Sequence, residues 1–229
     1  MEEILIYIPD GSAATTHAAK LFHRWGFSVT TLPCPGMTHV LLGVPCQDIP
    51  KLPDHVVVFG GNLPAMRQKH VDLLQDEWYL AANAAITAHC ALEIAMAQLP
   101  VILDECETLV IGWGRIGKCL AQLLRSLGAK VTVAARKEAD LAILAATGYK
   151  VAKIGDVDCG RYRLILNTAP APVLDGDAAA RDALILDLAS KKGISGERVI
   201  WARGLPGKQA PESSGALIAR TVLRYLEKE

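Results

Sequence analysis

Three glycines spaced G-x-G-x-x-G (Gly112, Gly114 and Gly117) stand directly after the apolar run Thr108–Ile111 and directly before a helical pattern. That arrangement can hold a diphosphate. The first glycine permits a tight turn out of a strand. The second lets phosphate oxygens reach bare main chain, and the third lets the helix pack close to the sheet. The amides and the positive end of the helix dipole then attract the anion. Trp113, Arg115 and Ile116 fill the remaining positions of the turn. A strand–helix turn with no ligand is the plainer alternative, but it leaves three conformationally costly glycines without a reason.

The next strand selects the dinucleotide. An NAD site usually places Asp or Glu about 20 residues past the first glycine, where it bonds the ribose 2′-hydroxyl. Here the strand 131–135 ends in Arg136 and Lys137. Two cations suit a 2′-phosphate, which an arginine binds as a fork, so the expectation is NADP, with NAD less favoured. Glu138 keeps NAD open, and a solvated basic turn is the plain alternative.

Ligands of open α/β sheets bind beyond the carboxyl ends of the strands. The later strand ends are Asn167-Thr168-Ala169-Pro170 and Ala189-Ser190, which are expected to flank the nicotinamide half of the cofactor. Arg203, with Lys191 and Lys192, is the candidate for holding a substrate carboxylate. His89 and Glu93, four apart on one helix face, are candidates for moving a proton. A satisfied helix histidine is the blander reading of His89. Asp187, inside the apolar run LILDLAS, reads first as a structural acceptor of loop amides. Cys34, Cys46, Cys90, Cys106, Cys119 and Cys159 form no C-x-x-C pair and read as buried thiols, with no metal site expected.

The elements that must position these groups alternate. Apolar runs at 4–8, 27–32, 39–44, 56–59, 108–111, 130–134, 150–152, 164–167, 184–188 and 198–202 read as strands. Helical patterns fall at 13–25, 64–82, 87–99 (with Thr87 as the cap), 115–127, 140–147 and 209–227. Near-continuous apolar strands alternating with helices imply a doubly wound parallel sheet, α/β, covered on both faces. Residues 1–85 are expected to form a smaller N-terminal α/β domain, with the closing helix packing back on it. Residues 86–208 are expected to form a Rossmann dinucleotide-binding domain joined to it by interdomain helices.

With 229 residues, 51% apolar content and 24 basic against 24 acidic residues, the chain can bury a large core. Zero net charge removes the electrostatic footprint of nucleic-acid binding. The start MEEILIYIPDG lacks a basic leader and no apolar run nears a membrane span, so a cytoplasmic protein is the expectation.

The segment LVIGWGRIGKCLAQLLRSLGAKVTVAARKEADLAILAATGYK resembles the NAD(P)-binding half of the dipicolinate synthase A family. LNTAP (166–170), LILDLASKKG (184–193), GLPGKQAPESSGALIARTVLRYL (204–226) and NAAITAHCALEIAMA (83–97) extend the resemblance. The first part is shorter than the family's usual N-terminal domain, and only HVVVFGG (55–61) matches it clearly. The resemblance implies an NADP-dependent oxidoreductase converting dihydrodipicolinate to dipicolinate, a product of sporulation. It also implies a flavoprotein-like second subunit, and base rates favour a homodimer. Two other functions stay open. One is a non-catalytic nucleotide-binding or regulatory subunit of such a complex. The other is a different NAD(P)-dependent dehydrogenase. The 2-hydroxyacid type would need a late histidine, and none follows His89.

Overall fold

The computed structural model describes residues 4–228. The chain divides into two compact units: Met1–Ile86 with Pro206–Glu229, and Thr87–Leu205.

The first unit is built on β1 (Leu5–Tyr7), β2 (Ser28–Thr30), β3 (His39–Leu41), β4 (Val57–Gly60) and β5 (His70–Asp72). They pair in parallel in the order β2-β1-β3-β4-β5. Side chains alternate across this sheet. Ile6, Leu41 and Phe59 face one core cluster, whereas Tyr7, Val40 and Val58 face another. The first cluster also takes Phe22 from α1 (Ala13–Arg24) and Ile218, Val222 and Leu226 from α6 (Pro211–Leu226). Ser12 caps α1 by accepting from the Thr15 amide at 3.3 Å.

The second unit carries β6 (Glu107–Ile111), α3 (Arg115–Ser126), β7 (Lys130–Ala135), α4 (Glu138–Ala146), β8 (Lys150–Lys153), β9 (Leu164–Asn167), β11 (Leu184–Asp187) and β13 (Val199–Trp201). All six strands are parallel, in the order β13-β11-β9-β6-β7-β8. The progression reverses between β6 and β9, which makes that the topological switch point. A short pair, β10 (Leu174–Asp175) with β12 (Ile194–Ser195), joins two connecting loops. The α/β class expected from the sequence is the class found.

Two segments differ from expectation. Residues 64–82 are not one helix: β5 is followed by a 3-10 turn at Leu73–Gln75 and then by α2 (Glu77–Gln98). Asp72 ends the strand by accepting from the Asn62, Leu63 and Leu74 amides. Asp76 starts the helix by accepting from the Tyr79 amide at 2.8 Å. Nothing in Asn83-Ala84-Ala85-Ile86 breaks a helix, so Thr87 is a buried interior residue and not a cap. The closing helix expected at 209–227 is α6, and an additional short helix, α5 (Leu205–Gln209), precedes it. Pro211 lacks an amide hydrogen and can only start a helix, so the chain leaves helical geometry at Ala210.

Candidate functional site

Strand register lines up the carboxyl edge of the second sheet. Trp201 lies beside Asp187, Asp187 beside Asn167, Asn167 beside Ile111, and Ile111 beside Ala134. The loops that leave this edge carry most of the residues singled out by motif.

The three glycines are required for three different reasons. Gly112 has φ +100°, a left-handed conformation, and a Cβ there would lie 2.6 Å from Thr168 Oγ1. Its amide donates to Ala134 O at 2.8 Å, which fixes the turn to the neighbouring strand. A Cβ at Gly117 would strike the Gly112 carbonyl oxygen, so the helix start presses directly on the turn. At Gly114 a Cβ would meet no protein atom within 4 Å. Packing therefore explains two of the glycines and leaves the middle one facing open space, where a bound anion would need the bare backbone. No side chain caps α3 at Gly114. The Trp113 ring meets Tyr149 edge-on with centres 5.8 Å apart, and Lys118 Nζ stands 5.8 Å from the centre of the indole. Arg115 is exposed and Ile116 half-buried at the start of α3.

Beside Gly112, β7 delivers Arg136 and Lys137 to solvent. Arg136 makes no side-chain hydrogen bond or ion pair among the described residues. Glu138, the acid that could serve a ribose, is paired with Lys153 at 3.3 Å. Lys153 was not singled out by sequence. Its only signal was its position on the strand next to β7.

On the other side of the switch point the side chains turn inward. Asn167 is fully buried: Nδ2 donates to Ala169 O (3.1 Å) and Asp187 Oδ1 (3.0 Å), while Oδ1 accepts from the Ala169 amide (2.9 Å). Its side chain is thus committed to the loop that follows it, as buried polar atoms bond within the protein first. Thr168 Oγ1 donates to Ile111 O at 3.0 Å. Ala169 is half-buried, and Pro170 and Ser190 are exposed on the two loops. Asp187 is also fully buried, and it accepts from the Ala189, Gly193 and Ile194 amides at 3.0, 2.7 and 2.9 Å. Trp201, missed by sequence, donates from Nε1 to Ala189 O at 3.0 Å. Arg203 is exposed, with its guanidinium 5.0 Å from the centre of the Trp201 ring. This stacking holds the guanidinium near the 188–190 loop.

His89 and Glu93 lie exposed on α2, and neither makes a side-chain hydrogen bond or ion pair among the described residues. Burial, above other causes, pushes the thiols of Cys46, Cys90, Cys119 and Cys159 up, which makes them poor nucleophiles. Among the described residues no group of three or more His, Cys, Asp or Glu could hold a metal. The helix α2 is long and apolar enough to cross a membrane by length and composition alone, and a soluble protein's core helix passes the same test.

No protein-family model matches the chain. Among curated proteins, the A subunit of dipicolinate synthase from Bacillus subtilis (strain 168) is 27% identical over 202 residues, 77% of this chain and 66% of that protein. The match thus spans just under two thirds of the relative's length. Two solved structures superpose closely. The A subunit of dipicolinate synthase from Bacillus halodurans gives a TM-score of 0.82 at 21% identity, covering 98% of each chain. Its counterpart from Bacillus subtilis gives 0.83 at 21%, covering 100% of this chain and 97% of that one. A transhydrogenase from Sinorhizobium meliloti gives 0.72 at 16%, covering 99% and 94%. The resemblance to dipicolinate synthase A is therefore found in sequence and fold alike, and the parallel α/β architecture is shared with all three solved structures.

Proposed function

We propose that this chain is an NADP-dependent oxidoreductase of the dipicolinate synthase A type, cytoplasmic, working with a flavoprotein-like second subunit. The observation that carries the reading is Gly114, the one glycine of the turn that protein packing leaves unexplained. The residues present fit a dinucleotide. The main chain of Gly112–Gly117 would hold the diphosphate. Arg136 and Lys137 would hold a 2′-phosphate, and the loops of Thr168–Pro170 and Ala189–Ser190 would flank the nicotinamide. Two cations at the end of β7, where an NAD site usually holds a carboxylate, favour NADP over NAD.

The oxidation balances as dihydrodipicolinate plus NADP⁺ giving dipicolinate, NADPH and a proton. When bound, the cofactor supplies the hydride acceptor. The chain's own residues have two tasks: Arg203 binds a ring carboxylate, and His89 or Glu93 takes the proton. A second reading, a nucleotide-binding subunit without turnover of its own, is favoured by the absence of any partner that orients His89 or Glu93 among the described residues.

The test is to mix the purified chain with NADP and freshly generated dihydrodipicolinate, with and without a flavoprotein subunit, and follow NADPH absorbance. Turnover supports the first reading. Tight NADP binding without turnover under either condition favours the second. Failure to bind either pyridine dinucleotide rejects both.

A further inference from the structure

Asp187 ends a wholly apolar strand, and its carboxylate has no exposed surface. Four donors surround it, two on each oxygen. Oδ1 takes Asn167 Nδ2 and the Ala189 amide, and Oδ2 takes the Gly193 and Ile194 amides. A buried carboxylate needs such donors to remain in the fold. Their origin gives them further meaning. Three come from the loop 188–194. The fourth belongs to Asn167, which grips Ala169 at both its amide and its carbonyl. One anion thus closes both loops that leave the sheet edge beyond the switch point.

The two loops also fit each other tightly. A Cβ at Gly193 would lie 2.5 Å from Ala171 O and Asn167 Nδ2, and 2.8 Å from Ala169 O. The Val173 amide donates to Gly193 O at 2.8 Å, and Leu174 pairs with Ile194. Thr168 ties this assembly to the glycine turn through Ile111 O. Arg136 and Lys137, on the opposite side of the turn, have no bond into it.

We propose that Asp187 is a positioning residue that sets the nicotinamide half of the dinucleotide site while leaving the adenosine half untouched. The proposal rests on the dinucleotide reading above and assigns the two halves to separately supported parts of the sheet edge. Asp187→Asn keeps the shape but replaces one oxygen by an NH₂ group. Whichever way the amide turns, that group faces two donors, and two buried N–H groups lose their acceptor. Gly193→Ala disturbs the same loops by a different route, since its methyl group enters the space held by Asn167 and Ala171.

Wild type and both variants are titrated calorimetrically with NADP and with its adenosine fragment 2′,5′-ADP, and in parallel with NAD and ADP. The pair used for judgement is the one whose dinucleotide the wild type holds more tightly. Both variants should hold the fragment within about twofold of wild type and lose about tenfold or more for the dinucleotide, a factor worth ~1.4 kcal/mol. Unchanged dinucleotide affinity overturns the proposal. Equal loss of fragment and dinucleotide, or loss of folded protein, also overturns it, because Asp187 would then support the whole unit and not one half of the site. Failure of wild type to bind any of the four nucleotides is a different result, and it removes the dinucleotide reading itself.

Discussion

At Gly114 packing makes no demand for glycine, whereas a bound diphosphate would, and that can be measured. No protein atom lies within 4 Å of where a Cβ would stand, and the backbone there (φ −80°, ψ −170°) suits any residue. Gly114→Val should therefore fold with a stability change within about 0.5 kcal/mol, as for a surface substitution. The same side chain would stand where the diphosphate must approach, so NADP affinity should fall at least about tenfold. Thermal unfolding and calorimetry on the same sample check both halves. Normal binding by the valine variant would mean that the open space at Gly114 holds no phosphate. Gly112 and Gly117 give no such separation, because each touches Thr168 or the other glycine within the protein.

Among the elements, α2 is anchored by one half-buried carboxylate just before its start. Asp76 accepts from the Tyr79 amide, from the Arg224 guanidinium and from the Tyr225 hydroxyl at 2.9 Å. Burial alone would raise its pKa. The Tyr79 amide, Arg224 and Tyr225 outweigh burial and hold it below the usual carboxylate range. A carboxyl group whose folded pKa is depressed stabilises the fold above the unfolded value, and that stability is lost as pH falls through the folded value. Asp76→Asn should cost roughly 1.5–3 kcal/mol at neutral pH, the worth of hydrogen bonds to a charged group. The deficit should shrink as pH falls below ~3.9, where the unfolded wild-type carboxyl protonates. Urea unfolding at several pH values tests this, and a deficit of the same size in acid and at neutrality would refute it. Asp76 also marks where sequence reading stopped. The run 131–135 and the glycine turn were legible because their signals are local: apolar continuity, then glycine spacing. The three-residue strand His70–Asp72 has one apolar residue, and its strand character comes from pairing with Val58–Gly60. The partners of Asp76 lie 148 and 149 residues away, beyond any periodicity. The same limit applies to the site: the type of Asp187 suggested a structural acceptor, but its pairing with Asn167 depends on strand register.

For the whole molecule, chain order matters most, because the first unit is assembled from both ends of the sequence and the second is a continuous segment between them. The C-terminal α6 supplies Ile218, Ala219, Val222 and Leu226 to the core cluster that holds Ile6, Phe22 and Phe59. Helices α1 and α6 approach closely at one point. There a Cβ on Gly215 would strike Ala14 O and would lie 2.8 Å from the His17 Cβ and 3.1 Å from the Ala18 amide. Two of these neighbours are α1 backbone atoms, which cannot swing aside as the end of a long side chain can. Gly215→Val must therefore push α6 off α1, and overpacking of this kind costs typically 1–3 kcal/mol. Hydrogen exchange locates the damage, since local opening reports on the contacts that were loosened. Amides of α1, α6 and strands β1, β3 and β4 should lose protection first. Loss that begins instead in the six-stranded sheet, with α1 and α6 still protected, would show that the terminal helix does not hold the first unit together.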